Sequence, residues 1–86
     1  MTVKLTKAQD KVAELYKAHG YDNDLHILGL GLCEEAGEVA AAILDRSQYF
    51  KPKEGRVKSD LEHELKDALI YLLAIANAAN IELELE

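Results

Sequence analysis

Apolar residues recur at three- and four-residue spacing along most of this chain, and that period predicts three helices. Ala8, Val12, Leu15, Tyr16 and His19 form the first stripe. Thr6-Lys7-Ala8-Gln9 fits a capping box in which Thr6 caps the helix and Gln9 reaches back, and Gly20 is placed to end it with a left-handed residue. A longer stripe of Leu25, Leu28, Leu32, Ala36, Val39 and Ile43 follows the N-cap candidates Asp22, Asn23 and Asp24 and runs to about Arg46. The third begins at a second capping-box match, Ser59-Asp60-Leu61-Glu62, and continues through Leu61, Leu65, Ala68, Leu69, Leu72, Ile75, Ala76 and Ala79. Between them Ser47 to Lys58, with Pro52 and Gly55, reads as a loop joining antiparallel helices. From Ile81 onward Ile or Leu alternates with Glu, a pattern open to either a short strand or a frayed helix end.

These elements predict an all-α fold, an antiparallel helical hairpin plus an N-terminal helix, in a single domain over residues 1–86. Gly29, Gly31 and Gly37 each cost about 1 kcal/mol relative to Ala inside a helix, so they point to close approach by another element, with Gly37 leaving room beside its acidic neighbours. Three helices do not close a four-helix bundle. Residues 68–76 are apolar nearly all round, and such a helix needs cover on more sides than one hairpin supplies. A homo-oligomer that completes a four-helix-bundle-like core is therefore expected.

Charge narrows the function classes. The formal charge is -6, which argues against a binder of nucleic-acid polymers, since phosphate backbones are held by clustered Lys and Arg. The exception is local: Lys51, Lys53, Arg56 and Lys58 face only Glu54 in their stretch, a segment suited to meeting an anion. One cysteine, Cys33, forms no internal disulfide and reads as a small buried hydrophobe. Met1 to Lys7 lacks the apolar core of a signal peptide, and the uncharged stretch Ala68 to Ile81 is shorter than a bilayer-spanning helix, so a cytoplasmic protein without a membrane partner is expected.

The chemistry-bearing feature is a pair of acidic pairs, Glu35 with Glu38 and Glu64 with Asp67, each at i, i+3 spacing. That spacing aims both carboxylates of a pair the same way, and two antiparallel helices bring four together. Four such groups repel unless a hard cation joins them, and all-oxygen ligation favours Mg²⁺, Mn²⁺ or Ca²⁺. No E-x-x-H motif accompanies them, which disfavours a di-iron bundle, and His19, His26 and His63 form no metal-ligand spacing with the acids.

Leu32-Cys33-Glu34-Glu35-Ala36-Gly37-Glu38-Val39 and Glu64-Leu65-Lys66-Asp67-Ala68-Leu69-Ile70-Tyr71-Leu72 together resemble the MazG-like, all-α nucleoside triphosphate pyrophosphohydrolases, over about Leu25 to Ile81. The resemblance implies that Glu35, Glu38, Glu64 and Asp67 are catalytic Mg²⁺ ligands, with Mn²⁺ as a possible substitute. It further implies cleavage of nucleoside triphosphates between the α and β phosphates, and assembly as a dimer or dimer of dimers. Lys51, Lys53 and Arg56 are the candidates to hold phosphate. Tyr71, one turn beyond Asp67, is a candidate substrate contact or a packed core residue; Asn77 is a candidate for base or sugar recognition or for an inter-helix hydrogen bond. Tyr49 and Phe50 either stack a base or anchor the loop, and Glu34 and His26 read as surface groups. The competing function class is a noncatalytic helical assembly or regulatory module whose acids form solvated ridges.

Overall fold

The computed structural model describes residues 1–46 and 60–86. The predicted loop, with Tyr49, Phe50, Lys51, Lys53, Arg56 and Lys58, lies outside the described residues, as does Ser59. Three helices form among the described residues: α1 (Thr6–His19), α2 (Leu25–Arg46) and α3 (Leu61–Ala78). A two-stranded antiparallel ribbon joins the ends of the chain, β1 (Val3–Lys4) against β2 (Glu84–Leu85), with Val3 opposite Leu85. The alternation after Ile81 thus resolves as a strand, and the all-α core carries a small β clasp.

The helix boundaries follow local chemistry, with two corrections. Asp24 starts α2 by accepting the backbone N–H groups of His26 and Ile27. Gly20 closes α1 at φ 65°, as expected. The first capping box does not form: Leu5 occupies the cap without a side-chain bond. Gln9 is buried and committed elsewhere, donating to Asn77 Oδ1 and the Ile81 carbonyl and accepting from the Leu83 N–H. Those tertiary bonds satisfy a buried amide that a local cap would leave short of partners. At α3 the cap is Asp60, one residue later than predicted, accepting from the Glu62 and His63 N–H groups.

The pairing of α2 with α3 positions the site. Numbers rise along α2 as they fall along α3: Gly31 meets Tyr71, Glu35 meets Asp67, and Glu38 meets Glu64, so the hairpin is antiparallel. A Cβ built on Gly31 would overlap the Tyr71 ring, so the predicted close approach is realised there; beside Gly29 and Gly37 the space is open. Behind this contact Val12, Leu28, Leu73 and Ala74 form the core, with Leu5, Tyr16, Ile70 and Leu83 packed against it.

The predicted apolar stripes are sheltered only in part. Along α2 Leu28, Ala42 and Asp45 are buried and Gly29, Gly31, Leu32, Glu35, Glu38, Val39 and Ala41 half-buried, so the acids share the sheltered face with part of the apolar stripe. Leu25, Ala36 and Ile43 of the predicted stripe are exposed, as are Leu65, Leu69 and Leu72 of α3, while Leu73, Ala74 and Ala76 are buried. Cys33 is exposed too, because it lies about half a turn from Glu35 and so off the face turned to α3.

Gly31→Ala is expected to lower stability by about 1 to 3 kcal/mol, since displacing a packed ring outweighs the gain in helix propensity. In a Tyr71→Ala background the same substitution should raise the Tm, because only the propensity gain remains. A thermal-denaturation cycle showing the same sign in both backgrounds would exclude the contact.

Candidate metal centre

Glu35 and Glu38 leave α2 one turn apart, and Glu64 and Asp67 leave α3 in the same way, so the antiparallel register turns the two pairs toward each other. Glu35, Glu64 and Asp67 each offer a carboxylate oxygen within 4.8 Å of the others, and all three are half-buried. Glu38 lies within hydrogen-bonding reach of both Glu35 and Glu64. One oxygen each of Glu35 and Glu64 is buried without a hydrogen-bond partner.

Burial, then the hydrogen bond and charge of Glu38, push the Glu35 carboxyl up to about 7. The hydrogen bond to Glu38 is the largest cause raising Glu64, followed by burial. Two carboxylates share a hydrogen bond only if one keeps its proton, so the cluster requires a proton or a cation between its members. Solvated acidic ridges would shed neither water nor charge, and the buried, partnerless oxygens argue against that reading. The donor set, all carboxylate oxygen with unmatched lone pairs, fits a hard divalent cation.

Two of these carboxylates, Glu35 and Asp67, line a cleft of about 400 Å³, whose lining also includes Tyr16, Tyr21, Asp22, Leu28 and Tyr71. Tyr16 and Tyr21 meet edge to face at 5.3 Å between centroids, and His19 stacks on the Tyr21 ring at 5.1 Å. Burial, then Tyr71 and Tyr21, raise the Tyr16 hydroxyl, which marks the three tyrosines as neighbours. Tyr71 packs on the core, one of the two readings open to it, and its ring also lines the cleft. Asn77 does not line that cleft; its amide donates to the Gln9 carbonyl at 2.8 Å and accepts from the Gln9 side chain, tying α3 to α1.

Tyr21 and His63 were not predicted as site residues. Tyr21 follows the left-handed Gly20, where the chain turns back, and no helical spacing links it to Tyr71. His63 Nε2 lies 3.1 Å from Asp67 Oδ2, an i, i+4 relation visible in the sequence that no metal-ligand motif marks.

A pH dependence follows from the raised carboxyl. Between 4.5 and about 7 folded Glu35 retains a proton that the unfolded chain has released. Stability is therefore full below 4.5 and falls as pH rises toward about 7. The cation-free protein should lose Tm across this window, and saturating Mg²⁺ should flatten the profile by replacing the shared proton. Superimposable pH profiles with and without Mg²⁺ would contradict this.

Among the described residues no helix is long and apolar enough to cross a membrane. No curated protein and no solved structure matches the chain significantly. The MazG nucleotide pyrophosphohydrolase domain matches residues 24–86, which takes in α2, α3 and the C-terminal strand and includes all four acids. The chain carrying this carboxylate cluster between two antiparallel helices belongs to the MazG nucleotide pyrophosphohydrolase domain family.

Proposed function

We propose that this protein hydrolyses nucleoside triphosphates between the α and β phosphates, giving a monophosphate and pyrophosphate, with Mg²⁺ held by Glu35, Glu64 and Asp67. The observation that carries the reading is the convergence of these three carboxylates, two of which, Glu35 and Asp67, line an aromatic cleft, in a chain of this family. Glu38 completes the set, either as a fourth ligand or as acceptor of the proton from the attacking water. When bound, Mg²⁺ offsets charge on phosphate oxygens and lowers the pKa of water.

The cleft supports a division of labour. Its acidic end repels a free triphosphate of about four negative charges, so the phosphates enter only with cations and with positive groups beyond the carboxylates. Lys51, Lys53 and Arg56 are assigned that role from the sequence. Tyr16, Tyr21 and Tyr71 offer the base an aromatic wall, where stacking is worth about 1 to 3 kcal/mol per base. The outward Leu65, Leu69 and Leu72 support association with a second copy, since burying each contributes about 1.5 to 3 kcal/mol that this small core lacks. A cytoplasmic setting belongs to the same reading.

Screening ribo- and deoxyribonucleoside triphosphates with Mg²⁺ should reveal pyrophosphate release from at least one. Glu64→Gln and Glu38→Gln should lower its rate about 100-fold or more while helicity is kept, and Tyr21→Ala should raise the nucleotide KM. Undiminished turnover by a folded Glu64→Gln protein would rule out the site.

Leu69→Glu is expected to split the oligomer without unfolding the chain, whereas Leu73→Glu, placed in the core, should unfold it. Light scattering that finds the unmodified protein monomeric at micromolar concentration would overturn the assembly.

A further inference from the structure

His63 stands one turn before Asp67 on α3, with its Nε2 3.1 Å from Asp67 Oδ2. Its place is set by the helix start: Asp60 accepts the His63 backbone N–H, which fixes where the first turn begins. Asp67 in turn offers an oxygen to the cluster with Glu35 and Glu64. The imidazole therefore touches a member of the carboxylate cluster without belonging to it.

We propose that His63 is a positioning residue for the cation site, its imidazole N–H holding the Asp67 carboxylate in the orientation that meets Glu35 and Glu64. The proposal rests on the reading of that cluster as a cation site. Like-charged neighbours favour an Asp67 side chain swung away toward water, because Glu35 and Glu64 repel it while no cation is bound. A donor on the same helix opposes that swing. The Asp67 side chain is 30 % exposed and the His63 side chain 55 % exposed, so the carboxylate has room to rotate and the imidazole is its tether. One N–H occupies one of about four lone-pair positions on a carboxylate, which leaves the remainder for a cation. Either the neutral Nε2–H tautomer or the imidazolium makes the bond, so the role does not depend on charge.

The bland alternative is a surface pair of the kind that decorates many helices, and His26 supplies an internal comparison. Its Nδ1 lies 3.6 Å from Asp24 Oδ1 near the start of α2, also beside a carboxylate, but Asp24 is not part of the cluster. An effect specific to His63 therefore separates positioning from generic loss of a surface pair. A direct ligand role is separable as well, since a glutamine at position 63 still donates an amide N–H to residue 67 one turn on, yet does not replace an imidazole ligand.

The test is calorimetric titration of the full-length protein with Mn²⁺ at one pH. His63→Ala should weaken Mn²⁺ binding about tenfold, the lower end of what groups holding a ligand contribute. His63→Gln should restore it to within about twofold of the unmodified protein, and His26→Ala should leave it unchanged. Unchanged affinity in His63→Ala, or a His63→Gln protein as weak as His63→Ala, would overturn the positioning role while leaving the cation site in place. A Mn²⁺ affinity unaffected by Glu35→Gln, or no Mn²⁺ binding by the unmodified protein, would overturn the site itself and this role with it.

Discussion

The close approach of α2 to α3 at Gly31 is the constraint on which the rest depends. With no side chain at that position, the Tyr71 ring lies directly against the α2 backbone. This small-against-large contact selects both the spacing and the register of the antiparallel pair. One turn along from it Glu35 meets Asp67, and less than a turn further Glu38 meets Glu64. A slip of one residue would rotate one set by about 100° and disperse the carboxylates. Four acids at a helix interface oppose pairing, so it must be driven by neighbouring groups. Leu28, Leu73 and Ala74, buried beside the contact, supply that drive. The acidic end of the hairpin is thus held by its apolar end.

The segment before the family-matched region completes the cleft. α1 lies against α3 and is fastened by reciprocal amide bonds between Gln9 and Asn77, and by Gln9 bonds to the chain at Ile81 and Leu83. The β1–β2 ribbon adds backbone bonds between the two chain ends. These fastenings place Tyr16, and through the Gly20 turn Tyr21, across from Tyr71. The buried glutamine and the tail it holds act together with the packing of Val12, Leu5 and Tyr16 on the core.

Much of this was legible in the sequence. Helical periodicity placed three helices, Gly20 and Asp24 marked real boundaries, and the two i, i+3 acidic pairs identified the facing surfaces because carboxylate spacing on a helix is a matter of geometry. What escaped it was tertiary. Gln9 looked like a cap because the capping-box pattern cannot reveal that a distant asparagine and tail will claim the same amide. The usual preference of apolar residues for burial predicts the leucine stripes inward. In this chain the inward face is shared between Leu28, Leu73, acids, glycine and alanine, leaving Leu65, Leu69 and Leu72 outside. The same preference predicts Cys33 buried, and the structure exposes it. Tyr21 belongs to the cleft through a turn in the chain, and no period records that.

The most direct measurement of the central claim, that the Gly31 register assembles a cation site from opposed acid pairs, is a crystal structure of the protein grown with Mn²⁺, with anomalous scattering recorded at the manganese edge. The account predicts a manganese peak lying between Glu35, Glu64 and Asp67, with carboxylate oxygens at roughly 2.0 to 2.4 Å. Well-ordered α2 and α3 side chains with no anomalous peak in that cluster at saturating Mn²⁺ would contradict it.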